Sequence, residues 1–123
     1  MNYQTGKTIG NTTEFKFFTA LQADVRSMPY WFLGVRRATG LEDAAGVDAF
    51  VTLDVGEVEV QIKTSETGMV EYEKTHRGNG VLVIVIGVHA SISYAKDRIL
   101  HYLYLRRGAM IGPYLQKCQR ARH

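Results

Sequence analysis

The stretch Gly46–Ser65, GVDAFVTLDVGEVEVQIKTS, decides how the rest of the chain is read. Val47, Ala49, Val51 and Leu53 alternate with Asp48, Phe50, Thr52 and Asp54, and further on Val58, Val60 and Ile62 alternate with Glu59, Gln61 and Lys63. A period of two marks strands with one apolar face, so two strands are expected here, with Gly56 supplying the turn between them. A turn on the pair Val55-Gly56 sets Asp54 opposite Glu57, Thr52 opposite Glu59, Phe50 opposite Gln61 and Asp48 opposite Lys63. Opposed side chains have Cβ atoms about 4.5–5.5 Å apart. Asp48, Gln61 and Lys63 are thus expected on one face near the open end of the hairpin, and the Val, Ala, Leu and Ile residues on the core face.

Upstream, residues 11–27 read as a helix. Asn11 followed by Glu14 fits a capping box, and EFKFFTALQADV runs on without a breaker. Phe18, Leu21 and Val25 recur at helical spacing, with Glu14 at the head of that stripe, which turns its carboxylate toward the core side. Pro29 ends the helix, and YWFLGVRR (30–37) is aromatic and β-rich enough for a first strand. ATGLEDAAG (38–46) reads as a loop.

Downstream, the polar stretch 65–80 holds one short helix and closes on Gly-Asn-Gly. VLVIVIGV (81–88) is expected to be a strand buried on both faces. RILHYLYLRR (98–107) fits a strand or a helix, and GPYLQKCQRAR (112–122) reads as a terminal helix entered through Pro113. Helix, three-strand meander, short helical link, buried fourth strand and C-terminal helix make an α/β fold in a single domain, 1–123.

The 123 residues are 46% hydrophobic and 22% charged, ordinary globular usage. The formal charge of +3 is mild, but Arg106, Arg107, Lys117, Arg120 and Arg122 have no acid among or after them. Such an end suits phosphate contact, and equally a solvated helix. The single cysteine, Cys118, excludes an intramolecular disulfide and a zinc-type Cys/His cluster. The apolar run at 81–88 is too short to span a bilayer, and MNYQTGKTIGNTTE lacks the apolar core of a signal peptide, so a cytoplasmic protein is expected.

An aspartate opening one strand, a turn, and an acid-x-Lys on the next strand resemble the PD-(D/E)xK, or restriction-endonuclease-like, nuclease superfamily. The carrying residues are Gly46-Val47-Asp48 and Gln61-Ile62-Lys63. The helix with its early Glu14, and a strand ending in Val35-Arg36, resemble the archaeal Holliday-junction resolvases within that superfamily. The resemblance covers roughly residues 11–88, and it departs from the pattern at Gln61, where the family usually has an acid. It implies a restriction-endonuclease-like core and a Mg²⁺-dependent (or Mn²⁺-dependent) DNA endonuclease acting in repair, recombination or mobile-element biology. Asp48, Gln61, the backbone carbonyl of Ile62 and Glu14 would be metal ligands. Lys63 would orient or deprotonate the attacking water, Arg36 and Arg37 would clamp backbone phosphate, and a homodimer would hold duplex or branched DNA.

Each residue also has a plainer reading. Asp48 and Lys63 could be a cross-strand ion pair, Glu14 a capping glutamate, and Arg36 and Arg37 the rim of a strand. Glu59 reads as a solvated strand residue that could substitute for the missing acid; Glu42 and Asp43 read as loop acids, and the four histidines as loop or surface groups. Tyr102 and Tyr104 read as packing residues. Gln61 brings an oxygen but no charge, so the alternative is a catalytically inactive nuclease-fold protein that binds DNA or a protein partner.

Overall fold

The computed structural model describes residues 2–121, and of residues 2–11 the backbone alone. In chain order the elements are α1 (Asn2–Gln22), a 3₁₀ turn (Val25–Ser27), β1 (Phe32–Arg37), α2 (Gly40–Ala44), β2 (Ala49–Leu53), β3 (Gly56–Lys63), α3 (Glu66–Thr75), β4 (Leu82–Val85) and α4 (Ile92–Ala121). The strands form one sheet in the order β1-β2-β3-β4. β1, β2 and β3 are an antiparallel meander, and β4 returns parallel to β3 after the α3 crossover. The chain is therefore α/β with a four-stranded mixed sheet, and the hairpin of 46–65 supplies its two central strands.

The register differs from that read off the alternation. Leu53 pairs with Gly56, Thr52 with Glu57 and Phe50 with Glu59, so the turn is Asp54-Val55 and Gly56 opens β3 with φ +139°. Asp54 is held at the turn. Its N–H donates to the Trp31 carbonyl at 3.0 Å, and its two carboxylate oxygens take Arg107 Nε and Nη2 from α4 at 2.8 and 2.7 Å. A bidentate fork of this kind fixes direction as well as distance. The slip is two residues, so every side chain keeps its face.

Ala49, Val51, Leu53, Val58, Val60, Ile62, Ile84 and Ile86 form the apolar layer, and Phe17 and Leu21 of α1 with Ala95, Ile99 and Leu103 of α4 close it. Thr13 is the one buried polar residue among those described. On the other face α3 packs on β3 and β4, where Val83 and Val85 are 7% exposed. An edge strand is thus covered on both sides, as its apolar run required, but it spans Leu82–Val85 and not the whole of 81–88.

Four further expectations change. α1 begins at Asn2, so Asn11 lies inside a helix and there is no capping box at Asn11 and Glu14; the glycines at 6 and 10 weaken a helix without forbidding it. Val25 is 79% exposed in the 3₁₀ turn and takes no part in the core stripe, while 40–44 of the expected loop is helical. Residues 98–107 and 112–121 belong to one 30-residue helix that continues through Pro113, and position 122 of the expected terminal helix lies outside the described residues. The fully buried residues of α4 stop at Leu103, and further along the half-buried Met110 packs against the core while Pro113 is exposed.

This division gives a direct test in urea. Leu103→Ala is expected to cost roughly 2–5 kcal/mol, the range for emptying a fully buried leucine site. Leu115→Ala, at a position 53% exposed, should stay within roughly 0.5 kcal/mol of the parent. Equal losses would mean that the second half of α4 belongs to the core.

Candidate active site

The hairpin ladder ends at Ala49 and Val60, and Asp48 is the next residue out. Its backbone N–H donates to the Val60 carbonyl at 2.8 Å, while its Oδ2 accepts the Ile62 N–H at 2.8 Å. The side chain thus takes a donor that a regular ladder would give to backbone. These two bonds grip β3 on either side of Gln61, so Asp48 lies beside Gln61 rather than opposite Lys63. The correction follows from the Asp54-Val55 turn, which slides β2 two residues along β3.

Burial pushes the Asp48 carboxyl up to about 6; the Ile62 N–H opposes the shift, and the acids Glu14 and Asp43 add to it. All three acids line one small pocket of about 170 Å³, together with Arg37, Thr39 and Gly40. Glu14 is also raised, by desolvation first, against the lowering effect of Arg37 and with a further rise from Asp43. Arg37 Nη1 is 3.7 Å from Glu14 Oε2, and its guanidinium lies 4.0 Å over the Phe18 ring. Glu14 is therefore a pocket acid, not a cap.

Gln61 is half-buried, and its Oε1 is buried with no hydrogen-bond partner. A buried carbonyl oxygen left without a donor costs about 1–3 kcal/mol. Lys63 is two residues further along the same face. Its Nζ lies 5.3 Å from the Tyr72 ring centroid, and it forms no ion pair with Asp48. Tyr72 is buried on α3, donates to the Gly46 carbonyl at 2.8 Å, accepts from Asn79 Nδ2 at 3.1 Å and stacks on His76 at 4.1 Å. One tyrosine thus touches Lys63 and fixes the segment leading into Asp48. Gly46 has φ +91°, and a Cβ there would stand 2.9 Å from the Tyr72 hydroxyl, so both backbone and neighbour require glycine.

Arg36 and Arg37 part ways, as neighbours on a strand must. Arg36 forms a fork on Glu42 at 3.0 and 3.1 Å and covers Phe50 at 4.0 Å. Glu42 also accepts the Thr39 N–H at 2.8 Å, and the Arg36 hydrogen bond followed by this one lowers its carboxyl to about 2. Arg36 is thereby tied to the α2 end, and Arg37 alone faces the pocket. The sequence reading took Asp43 for a loop acid and did not single out Tyr72. Asp43 was legible only through its place one residue beyond Glu42 on α2, and Tyr72 only once α3 was known to cross the polar face.

Among the described residues no group of three or more His, Cys, Asp or Glu side chains is arranged to hold a metal ion. The donors beside Asp48 are nonetheless all oxygen, and with Gln61 Oε1 included they suit a hard divalent cation. Asp48, Gln61 and Glu14 are the residues that would hold it. No helix among the described residues is long and apolar enough to cross a membrane. Comparison with protein-family models, with curated proteins and with solved structures gives no match to this chain.

The raised Asp48 carboxyl has a consequence for stability. Its folded value of about 6 exceeds the ordinary 3.8, so the native state binds the extra proton between those values and stability falls as pH rises through that window. Asp48→Asn removes the burden and keeps an acceptor for Ile62. The metal-free variant should exceed the parent by roughly 1–2 kcal/mol at pH 8, after allowance for solvent screening of a half-exposed group. The gain should vanish below pH 4. Denaturant titrations at pH 4 and pH 8 check this; a pH-independent difference would mean that Asp48 is not desolvated.

Proposed function

We propose that the chain is a metal-dependent endonuclease that hydrolyses phosphodiester bonds in DNA at the Asp48–Gln61 position, on a restriction-endonuclease-like core. The Asp48 carboxylate, held by the Ile62 N–H and sharing one pocket with Glu14, Asp43 and Arg37, is the observation that carries this reading. A bound Mg²⁺ or Mn²⁺ would polarise the phosphate and acidify a coordinated water. The chain does the rest. Asp48 is pre-aimed by the Ile62 N–H, Glu14 adds a second carboxylate, and Arg37 stands at the rim where a phosphate oxygen would displace its long contact to Glu14. Lys63, held over Tyr72 on the α3 side of the sheet, would stabilise charge on the attacked phosphate. Paired copies in a homodimer would present two such sites to a duplex or a branched DNA.

A second reading has its own support. Lys63 rests on an aromatic ring rather than on Asp48, and Gln61 brings no charge. These favour a nuclease-fold protein that binds DNA or a protein partner without cutting.

Metal titration separates the two. Gln61→Glu adds a carboxylate beside Asp48, so without metal it should lower the melting temperature at pH 8, and millimolar Mn²⁺ or Mg²⁺ should restore it. Calorimetry should show tighter metal binding than in the parent. On single-stranded, duplex and branched DNA the parent should cut with Mn²⁺ or high Mg²⁺. Lys63→Ala should slow cutting about a hundredfold to a thousandfold with DNA binding little changed. Failure of both proteins to bind a divalent ion at millimolar concentration removes the enzyme and leaves the binding module.

A further inference from the structure

A cavity of about 570 Å³ lies away from the carboxylates, between the C-terminal end of α3, the loop 76–81 and the middle of α4. Small-molecule sites span about 300–1,000 Å³. Its walls combine two chemistries. Lys74, Arg77 and Arg106 bring three cations against one acid, Glu73, and none of the ion pairs among the described residues includes any of the three. Val70, Val81 and Val83 supply apolar surface, and the half-exposed His76 ring, backed by Tyr72 at an interplanar angle of 11°, adds a flat one.

We propose that this cavity binds a nucleotide, with its phosphate on Lys74, Arg77 and Arg106 and its base on the valines and the His76 ring. Three uncompensated cations around one opening favour an anion, and guanidinium forks match phosphate geometry. The valines and the imidazole favour a flat, largely apolar body attached to that anion, which an inorganic phosphate or a carboxylate side chain lacks. Arg106 is pre-placed: its Nη1 donates to the Gly80 carbonyl at 2.8 Å. Gly78 and Gly80, both at φ +80°, form the turn that opens the loop around it. The site needs neither Asp48 nor a metal. It adjoins the other site through Tyr72, whose hydroxyl joins Asn79 of this loop to Gly46, and through Val83, which pairs with Gln61 in the sheet.

The nucleotide could be free or one unit of a single strand; both present the same phosphate and base. Binding of AMP, of adenosine, of inorganic phosphate and of a short oligothymidylate is measured by calorimetry on the full chain in EDTA, at low and at physiological salt. AMP should bind at least tenfold more tightly than adenosine or phosphate alone, and weaken with salt. Arg77→Ala, at an exposed loop position, should reduce AMP affinity about tenfold with an unchanged melting temperature, and Arg106→Ala should reduce it further. Asp48→Asn should bind AMP as the parent does, which separates this site from the nuclease reading. Tighter binding of the oligonucleotide than of AMP, lost equally in Arg77→Ala, assigns the site to a strand; the reverse order assigns it to a free nucleotide. No binding of AMP or oligonucleotide overturns the proposal. So does affinity unaltered in the Arg77→Ala, Arg106→Ala double variant, or equal binding of a poly-glutamate peptide.

Discussion

The bond from the Ile62 N–H to the Asp48 carboxylate is where the sheet ends and the site begins. Up to Ala49 and Val60 the central hairpin satisfies its polar groups by backbone pairing, and one step further a side chain takes over as acceptor. That substitution places a carboxylate at the seam between a dry core and a polar surface. Desolvation raises its proton affinity, and the same bond keeps it aimed. Glu14 from α1 and Asp43 from α2 converge on it because both elements pack around the mouth of this hairpin. Without that bond the strands would have no reason to hold an acid there.

The parts of the fold that were legible in the sequence are those where one period dominates. The β2–β3 alternation fixed which side chains share a face, and the apolar run at 81–88 implied a strand covered on both sides. Registration was not legible, because a two-residue slip leaves every face intact, and the bonds that hold Asp54 at the turn come from Trp31 and from Arg107, fifty-three positions away. Helix ends were misjudged where glycine or proline stood. α1 runs through Gly6 and Gly10, and α4 through Gly108, Gly112 and Pro113, since local propensity costs of order 1–3 kcal/mol yield to context.

The candidate site was legible as a set of residues but not as an arrangement. Asp48 and Gln61 come together through the observed register, whereas Lys63 is drawn onto Tyr72, a residue no alternation could point to. The paired arginines illustrate the same limit. Adjacent in sequence, Arg36 and Arg37 project to opposite faces; one is committed to Glu42 and the other is left at the pocket. Of the basic C-terminal residues, Arg107 is committed to Asp54, so the net charge overstates what is free for an anionic partner.

At 1.5 Å per residue, the 30 residues of α4 measure about 45 Å. Only the part up to Leu103 holds fully buried residues, and the remainder passes the hairpin turn, where Met110 approaches Gly56. The helix is therefore a lever with its load end at Ala121 and its fulcrum at the Arg107–Asp54 fork. A pull or a weight on the far end bears on the closed end of the central hairpin, while Asp48 and Gln61 lie at the open end. The sheet stands between the two, and its pairing stiffness sets how much of that torque reaches the carboxylates.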